Sequence, residues 1–328
     1  MKIIVAGTGS IGRRHVDNLR RLVPNASFLV VRRSGAPDAY SDSIGARVYA
    51  DFDAALAEGA QLAVIGTPST EHAGPVLACL RAGVAMYVEK PVVATRAQLE
   101  AVTAELAAMP SPPPTLAGCV LRFLPSILAL RDALRAGRIG RPVRASLQVG
   151  QWLPSWRPAA DYRQGYSARA ALGGGVVLDL VHELDMARFL FGDFEEVAAV
   201  GGRFSSLEID AEDSAVIALS RRGGPAVALG LDYVARRPLR RYEIVGEEGT
   251  LTWDLRARAV CLETEAGVGA LAEGPDAFDT GAAFVSAMAE LLDAARSGTA
   301  STSQDLAEGL RSAALAIRCN ELIRSPRP

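Results

Sequence analysis

The sequence predicts an α/β protein of two domains: an N-terminal doubly wound parallel sheet over residues 1–121, then an α+β domain over 122–328 with an open, largely antiparallel sheet. Three observations carry that expectation. Up to residue 121 short apolar runs alternate with helix-length amphipathic segments. Beyond it, longer stretches of alternating apolar and polar residues follow one another, divided by turns such as Arg222-Gly223-Gly224-Pro225. Third, Gly7-Thr8-Gly9-Ser10-Ile11-Gly12 stands between the first strand and the first helix.

Taken in order, residues 2–7 read as a buried strand, and the glycines lead into a helix through Val16, Leu19 and Val23. In G-x-G-x-x-G the first glycine makes the turn, the second admits a pyrophosphate to the backbone, and the third lets helix pack on strand. Amides at the helix start, around Ser10 and Ile11, then face phosphate. His15 reads as a packed or capping residue. The second strand, 28–31, ends at Arg32-Arg33-Ser34, with Arg32 20 positions after Gly12. An NAD enzyme places a carboxylate about there for the ribose 2′-hydroxyl; two guanidinium groups and a hydroxyl suit a 2′-phosphate instead. NADP is the expected cofactor, with NAD left open.

Strands follow near 47–49, 62–65 and 84–88, with helices from Asp51 or Asp53, from 71 to 82 and from 96 to 108. Ligands of such a sheet sit at its strand carboxyl ends, where Gly7, Arg32, Thr67 and Lys90 all fall. Thr67-Pro68 and His72 are candidates beside the cofactor. Residues 116–121 are expected to close the sheet and 125–137 to form a helix. Strands are expected at 143–150, 196–203, 214–221, 226–234, 241–245 and 250–255, with helices at 282–297 and 304–323.

Lys90, in Val88-Glu89-Lys90-Pro91, is chemically conspicuous. Of 35 basic side chains only Lys2 and Lys90 are lysine. A partly shielded lysine can exchange a proton near neutrality, which arginine cannot. A loop then carries Trp152, Trp156, Arg157, Asp161, Tyr162, Arg163 and Tyr166: aromatic faces for a sugar ring or base, arginine forks for an anion. Gly173-Gly174-Gly175 precedes a helix on which Asp179, His182 and Asp185 are i, i+3 neighbours, an arrangement suited to general acid–base work.

Composition narrows the partners. A net charge of -2 gives no general attraction to nucleic acid or an anionic membrane. The four cysteines have no zinc spacing, so reduced thiols in a cytoplasmic protein and no metal site are expected. No apolar run is long enough to span a bilayer, and the opening residues read as a strand and not a signal peptide. A small-molecule substrate is the expected partner.

The glycine fingerprint, Gly66-Thr67-Pro68 with His72, Glu89-Lys90-Pro91, Arg122-Phe123-x-Pro125, and the glycine triplet followed by Asp179 and His182 together resemble the Gfo/Idh/MocA oxidoreductases. Residues 151–185 resemble members encoded with sialic-acid-like surface-glycan genes. The resemblance implies a Rossmann domain, a sheet domain forming homodimers or homotetramers, and a cis peptide before Pro91. It implies Lys90 at the reacting oxygen beside the nicotinamide, with Glu89 at the cofactor and His182 as acid–base residue. Many members space the aspartate four residues before the histidine. Here the interval is three, which turns it roughly 100° on an ideal helix; Asp179 or Asp185 then assists His182. Arg122, Trp152, Arg157 and Arg163 are the expected substrate contacts. The expected activity is hydride transfer between nicotinamide and a secondary hydroxyl or ketone of a sugar. A redox-neutral sugar enzyme with tightly held cofactor and a non-catalytic regulator are the alternatives.

Overall fold

The computed structural model describes residues 1–299 and 301–324. The described residues form two compact units, the first from Met1–Cys119 with Phe284–Ala314, the second from Val120–Ala283 with Leu315–Arg324. The chain thus passes between the units three times, after Cys119, Ala283 and Ala314, and a single cut near residue 121 marks only the first.

The first unit holds six parallel strands, β1 (Lys2–Ala6), β2 (Ser27–Val31), β3 (Arg47–Tyr49), β4 (Leu62–Ile65), β5 (Ala85–Val88) and β6 (Thr115–Ala117), in the order β3-β2-β1-β4-β5-β6. Ile3, Ile4, Val5, Leu62, Val64 and Ile65 are fully buried, as strands covered on both faces require. The connections carry α1 (Ser10–Leu22), α2 (Ala39–Ser43), α3 (Phe52–Leu56), α4 (Ala73–Ala82) and α5 (Arg96–Ala108). Gly12, His15, Val16 and Leu19 make the buried stripe of α1, and Arg20 and Arg21 sit favourably in its last turn.

β6 is shorter than expected. It stops at Ala117, and Val120 and Leu121, expected to continue the strand, lie instead in a 3₁₀ turn over Val120–Phe123. The exposed edge of β6 is satisfied from far along the chain: Thr302 Oγ1 donates to Thr115 O at 2.6 Å, Leu306 N to Thr115 Oγ1 at 2.9 Å, and Ala117 N to Gln304 O at 2.9 Å. This hydrogen bonding ties a C-terminal segment to the first unit.

The second unit is built on eight strands in the order β14-β13-β12-β11-β7-β10-β9-β8. They are β7 (Pro142–Gly150), β8 (Glu196–Gly202), β9 (Ser214–Ser220), β10 (Ala226–Asp232), β11 (Leu239–Gly246), β12 (Gly249–Asp254), β13 (Ala259–Thr264) and β14 (Gly267–Glu273). Neighbours run antiparallel except β7 and β10. The hairpin β13–β14 was not foreseen. α6 (Pro125–Arg135), α7 (Val176–Asp179) and α8 (His182–Phe191) belong to this unit, and the chain ends with α9 (Thr280–Ser297) and α10 (Leu306–Arg324).

Strand alternation sets its core. Ile217, Leu229, Leu231, Tyr242 and Trp253 point inward, while Val216, Ala218 and Ala228 face out. Tyr242 stacks on Trp253 at 4.8 Å, and the indole nitrogen donates to Ser126 Oγ of α6 at 2.9 Å. All four cysteines are free thiols, and burial pushes Cys79 and Cys319 up to about 12, so both stay protonated. No helix among the described residues is long and apolar enough to cross a membrane.

Candidate functional site

Each unit carries its own cluster of the candidate side chains. In the first, the Gly7–Gly12 loop joins β1 to α1. Gly7 has φ +89°, and a Cβ there would lie 2.7 Å from Gly66 O; a Cβ on Gly12 would lie 2.0 Å from Gly7 O. Only glycine admits these approaches. A Cβ on Gly9 would meet nothing within 4 Å. Open space thus lies before the unpaired amides of α1, whose first turn has no acidic residue. The loop fits a dinucleotide pyrophosphate.

At the end of β2 the two guanidinium groups are engaged. Arg32 Nη1 lies 2.5 Å from Asp38 Oδ2, and Arg33 pairs with Glu71, which follows β4. The sequence placed these arginines at a 2′-phosphate without seeing their carboxylates. Ser34 Oγ accepts from Ala36 N at 3.3 Å.

The segment after β5 is braced from several sides. Glu89 Oε1 lies 2.7 Å from His15 Nε2, with both side chains buried, and Glu89 Oε2 accepts from the Lys90 amide at 3.2 Å. The His15 ring packs on Tyr87 at 4.4 Å. The Lys90–Pro91 bond is cis. His72, expected beside the cofactor, is buried, with Nδ1 3.0 Å from Pro91 O and Nε2 2.9 Å from Thr67 O. Burial holds this imidazole below its usual range, so one nitrogen donates at a time. Its placement links the Thr67-Pro68 turn to the residue following Lys90.

In the second unit α7 ends at Asp179, Leu180 leaves helical dihedrals (φ −96°, ψ 30°), and α8 begins at His182. The single helix expected to carry Asp179, His182 and Asp185 is therefore broken, and the 100° offset reasoned for Asp179 does not apply. Asp179 Oδ2 accepts from Ser167 Oγ at 2.6 Å and from Tyr233 Oη at 3.1 Å. Burial pushes the Tyr233 phenol well up, and the Asp179 carboxylate adds to this, so Tyr233 remains a donor.

The acids after His182 anchor the start of α8. Glu183 receives Tyr242 Oη at 2.9 Å and lies 2.8 Å from Arg240 Nε. Burial raises the Glu183 carboxyl, with Arg240 and Tyr242 opposing. Both oxygens of Asp185 accept from one edge of Arg122, Oδ2 from Nε at 2.9 Å and Oδ1 from Nη2 at 2.7 Å. This bidentate pair is buried, with the guanidinium over Phe189. Arg122, expected at substrate, thus spans from the 3₁₀ turn to α8. Replacing Asp185 by asparagine removes the charge opposite a buried guanidinium and is expected to cost about 3–5 kcal/mol. Urea unfolding of Asp185→Asn and of Arg122→Met/Asp185→Leu reads this, and the apolar pair should recover much of the loss.

The loop 151–175 is a succession of single 3₁₀ turns. Trp152 lies under Arg236 at 3.6 Å, Arg163 is held by Asp161 and Glu208, and Arg157 is exposed. Ser167, Tyr233, Glu183, Tyr242 and His15 were not foreseen as site residues. One signal was present for Tyr233: it continues the inward alternation Val227, Leu229, Leu231, and a buried phenol needs a partner. Among the described residues no cluster of three or more His, Cys, Asp or Glu could hold a metal.

A glycine cradle on a 3-2-1-4-5-6 parallel sheet, followed by a mostly antiparallel sheet domain, defines a two-domain nucleotide-binding architecture. Residues 1–110 match the oxidoreductase family with an NAD-binding Rossmann fold, and residues 127–252 match the GFO/IDH/MocA C-terminal domain. The chain belongs to the Gfo/Idh/MocA oxidoreductase family. It is 30% identical to inositol 2-dehydrogenase 2 of Saccharopolyspora erythraea over 77% of this chain and 73% of that one. It is 34% identical to D-apiose dehydrogenase of Paraburkholderia graminis over 62% of this chain, an alignment spanning 54% of that relative's length. An inositol dehydrogenase homologue of Azotobacter vinelandii, solved with NADH and myo-inositol, shares the fold at TM-score 0.77 and 19% identity, over 98% of this chain and 94% of that one.

Proposed function

We propose that this chain is a nicotinamide-dependent dehydrogenase or reductase acting on a secondary hydroxyl, or its ketone, of a sugar or polyol. The observation that carries the reading is Lys90, placed after β5 on the same sheet edge as the glycine cradle and braced through Glu89, His15 and His72. Gly7, Gly9, Ser10, Ile11 and Gly12 would hold the pyrophosphate. Arg32, Arg33 and Ser34 would meet the adenosine ribose, where their donors suit a 2′-phosphate; NADP is the proposed cofactor, and Asp38 and Glu71, which offset the two charges, leave NAD admitted as well. Thr67 and Pro68 would flank the cofactor, with His72 behind them.

The nicotinamide, when bound, gives or accepts the hydride. Lys90 polarises the substrate oxygen and stabilises alkoxide character on it. His182 transfers the hydroxyl proton, and Asp179, held by Ser167 and Tyr233, is the carboxylate that assists it. Trp152 and Arg157 offer a stacking face and a cation to the substrate, and Arg163 orders the loop through Asp161 and Glu208. Arg122 acts by anchoring Asp185. The outward face of the eight-stranded sheet, with Val200 and Val216 more than half exposed, is the surface proposed for pairing with a second copy. The cytoplasm is the proposed compartment.

The purified protein should be given NAD(P)⁺ or NAD(P)H with a panel of D-apiose, myo-inositol, 1,5-anhydro-D-fructose and a nucleotide sugar. Net oxidation or reduction of nicotinamide, matched by the partner reaction, is expected with at least one. The nucleotide-sugar arm tests the surface-glycan association. A sugar converted without net change in nicotinamide would replace this reading by the redox-neutral one.

A further inference from the structure

We propose that Asp38, with Glu71 in a lesser part, sets the discrimination between NADP and NAD by competing with a 2′-phosphate for Arg32 and Arg33. The inference rests on the cofactor reading above and names which of the chain's own carboxylates tune it.

The end of β2 would attract a 2′-phosphate strongly if its arginines stood alone. Here each is matched by an acid, Asp38 on Arg32 and Glu71 on Arg33, so these four side chains sum to no net charge. Asp38 is also fixed in place. It is the N-cap of α2, where Oδ1 accepts from Ser41 N at 2.9 Å and Ser41 Oγ accepts from Asp38 N at 2.8 Å. The second oxygen, Oδ2, is the one turned to Arg32. The two oxygens therefore divide between holding the helix start and holding the guanidinium.

This arrangement treats the two cofactors differently. A ribose 2′-hydroxyl can donate to a carboxylate. A 2′-phosphate must share Arg32 with a fixed negative charge beside it, which weakens its binding. Asp38 thereby supplies from the following loop the acid that the strand end lacks. Glu71 arrives from the turn after β4 onto Arg33, whose side chain is 81% exposed, so solvent and salt screen that pair more.

The test is a fluorescence titration of the full chain with NADPH and NADH, in wild type and in Asp38→Asn, Glu71→Gln, Arg32→Ala and Arg32→Ala/Asp38→Asn. Asparagine caps a helix about as well as aspartate, so Asp38→Asn removes charge while keeping the α2 start. A thermal melt of each variant verifies the fold. Asp38→Asn is expected to tighten NADPH by roughly fivefold and leave NADH unchanged or weaker, and Glu71→Gln to change NADPH by about twofold or less. The Asp38→Asn gain should shrink in the Arg32→Ala background. A variant that shifts both cofactors by one factor, or neither, overturns the inference while the cofactor reading stands. Wild type that binds neither cofactor overturns both.

Discussion

Replacing Lys90 by methionine is expected to lower turnover by about a hundred- to a thousandfold, the scale of removing one preorganised donor at a developing oxyanion. Methionine retains an unbranched stem and loses the ammonium. The fall in kcat should far exceed any loss of NADPH or NADH affinity. Lys90→Arg should fail to restore turnover, because a guanidinium stays charged and has a planar fork in place of a compact charge. The residue owes its position to its neighbours: Glu89 takes its amide, His15 holds Glu89, and His72 meets the carbonyl of Pro91. Steady-state kinetics beside cofactor titration separates the two effects. Equal losses in kcat and in cofactor affinity would place Lys90 at the dinucleotide alone.

His182→Asn is expected to reduce kcat by about a hundred- to ten-thousandfold, the range for loss of a positioned proton-transfer group. The kcat–pH profile should also lose the ionisation that group contributes. Asp179→Asn should lower kcat less and keep the profile's shape, since Ser167 and Tyr233 still hold the side chain. A pH profile unchanged in His182→Asn would move the acid–base role elsewhere.

Local pattern carried the strand–helix alternation, and with it the parallel sheet. Gly7–Gly12 and its flanking elements were legible because the motif is local: Gly12 answers a close approach to Gly7, Gly7 one to Gly66 after the neighbouring strand β4, and Gly9 leaves the space before α1 open. The hairpin β13–β14 was hidden because Gly267-Val268-Gly269-Ala270 is exposed along its length and lacks an alternating apolar face. Val120 and Leu121 misled in the opposite sense: an apolar pair at a strand's end is compatible with strand or buried turn, and the tertiary setting chose the turn.

Side-chain partners distant in sequence were the least legible. His15 meets Glu89 74 residues away, and Tyr233 meets Asp179 54 residues away. Neither pairing leaves a local periodic trace. Arg32 and Arg33 illustrate the consequence, because residue type alone pointed to a bare cationic pocket. Asp38 and Glu71 reached them through loop geometry that spacing does not encode.

The most direct measurement of the central claim is the fate of a labelled hydride. NADH and NADPH deuterated at carbon 4 of the nicotinamide would be incubated with the protein and either 1,5-anhydro-D-fructose or 2-keto-myo-inositol, and the products examined by mass spectrometry and NMR. Deuterium is expected on the new carbinol carbon of a product formed by wild type, and is expected to be lost in Lys90→Met and His182→Asn. A ketone consumed with no deuterium in its product, or label transfer as fast in both variants as in wild type, would contradict the central claim.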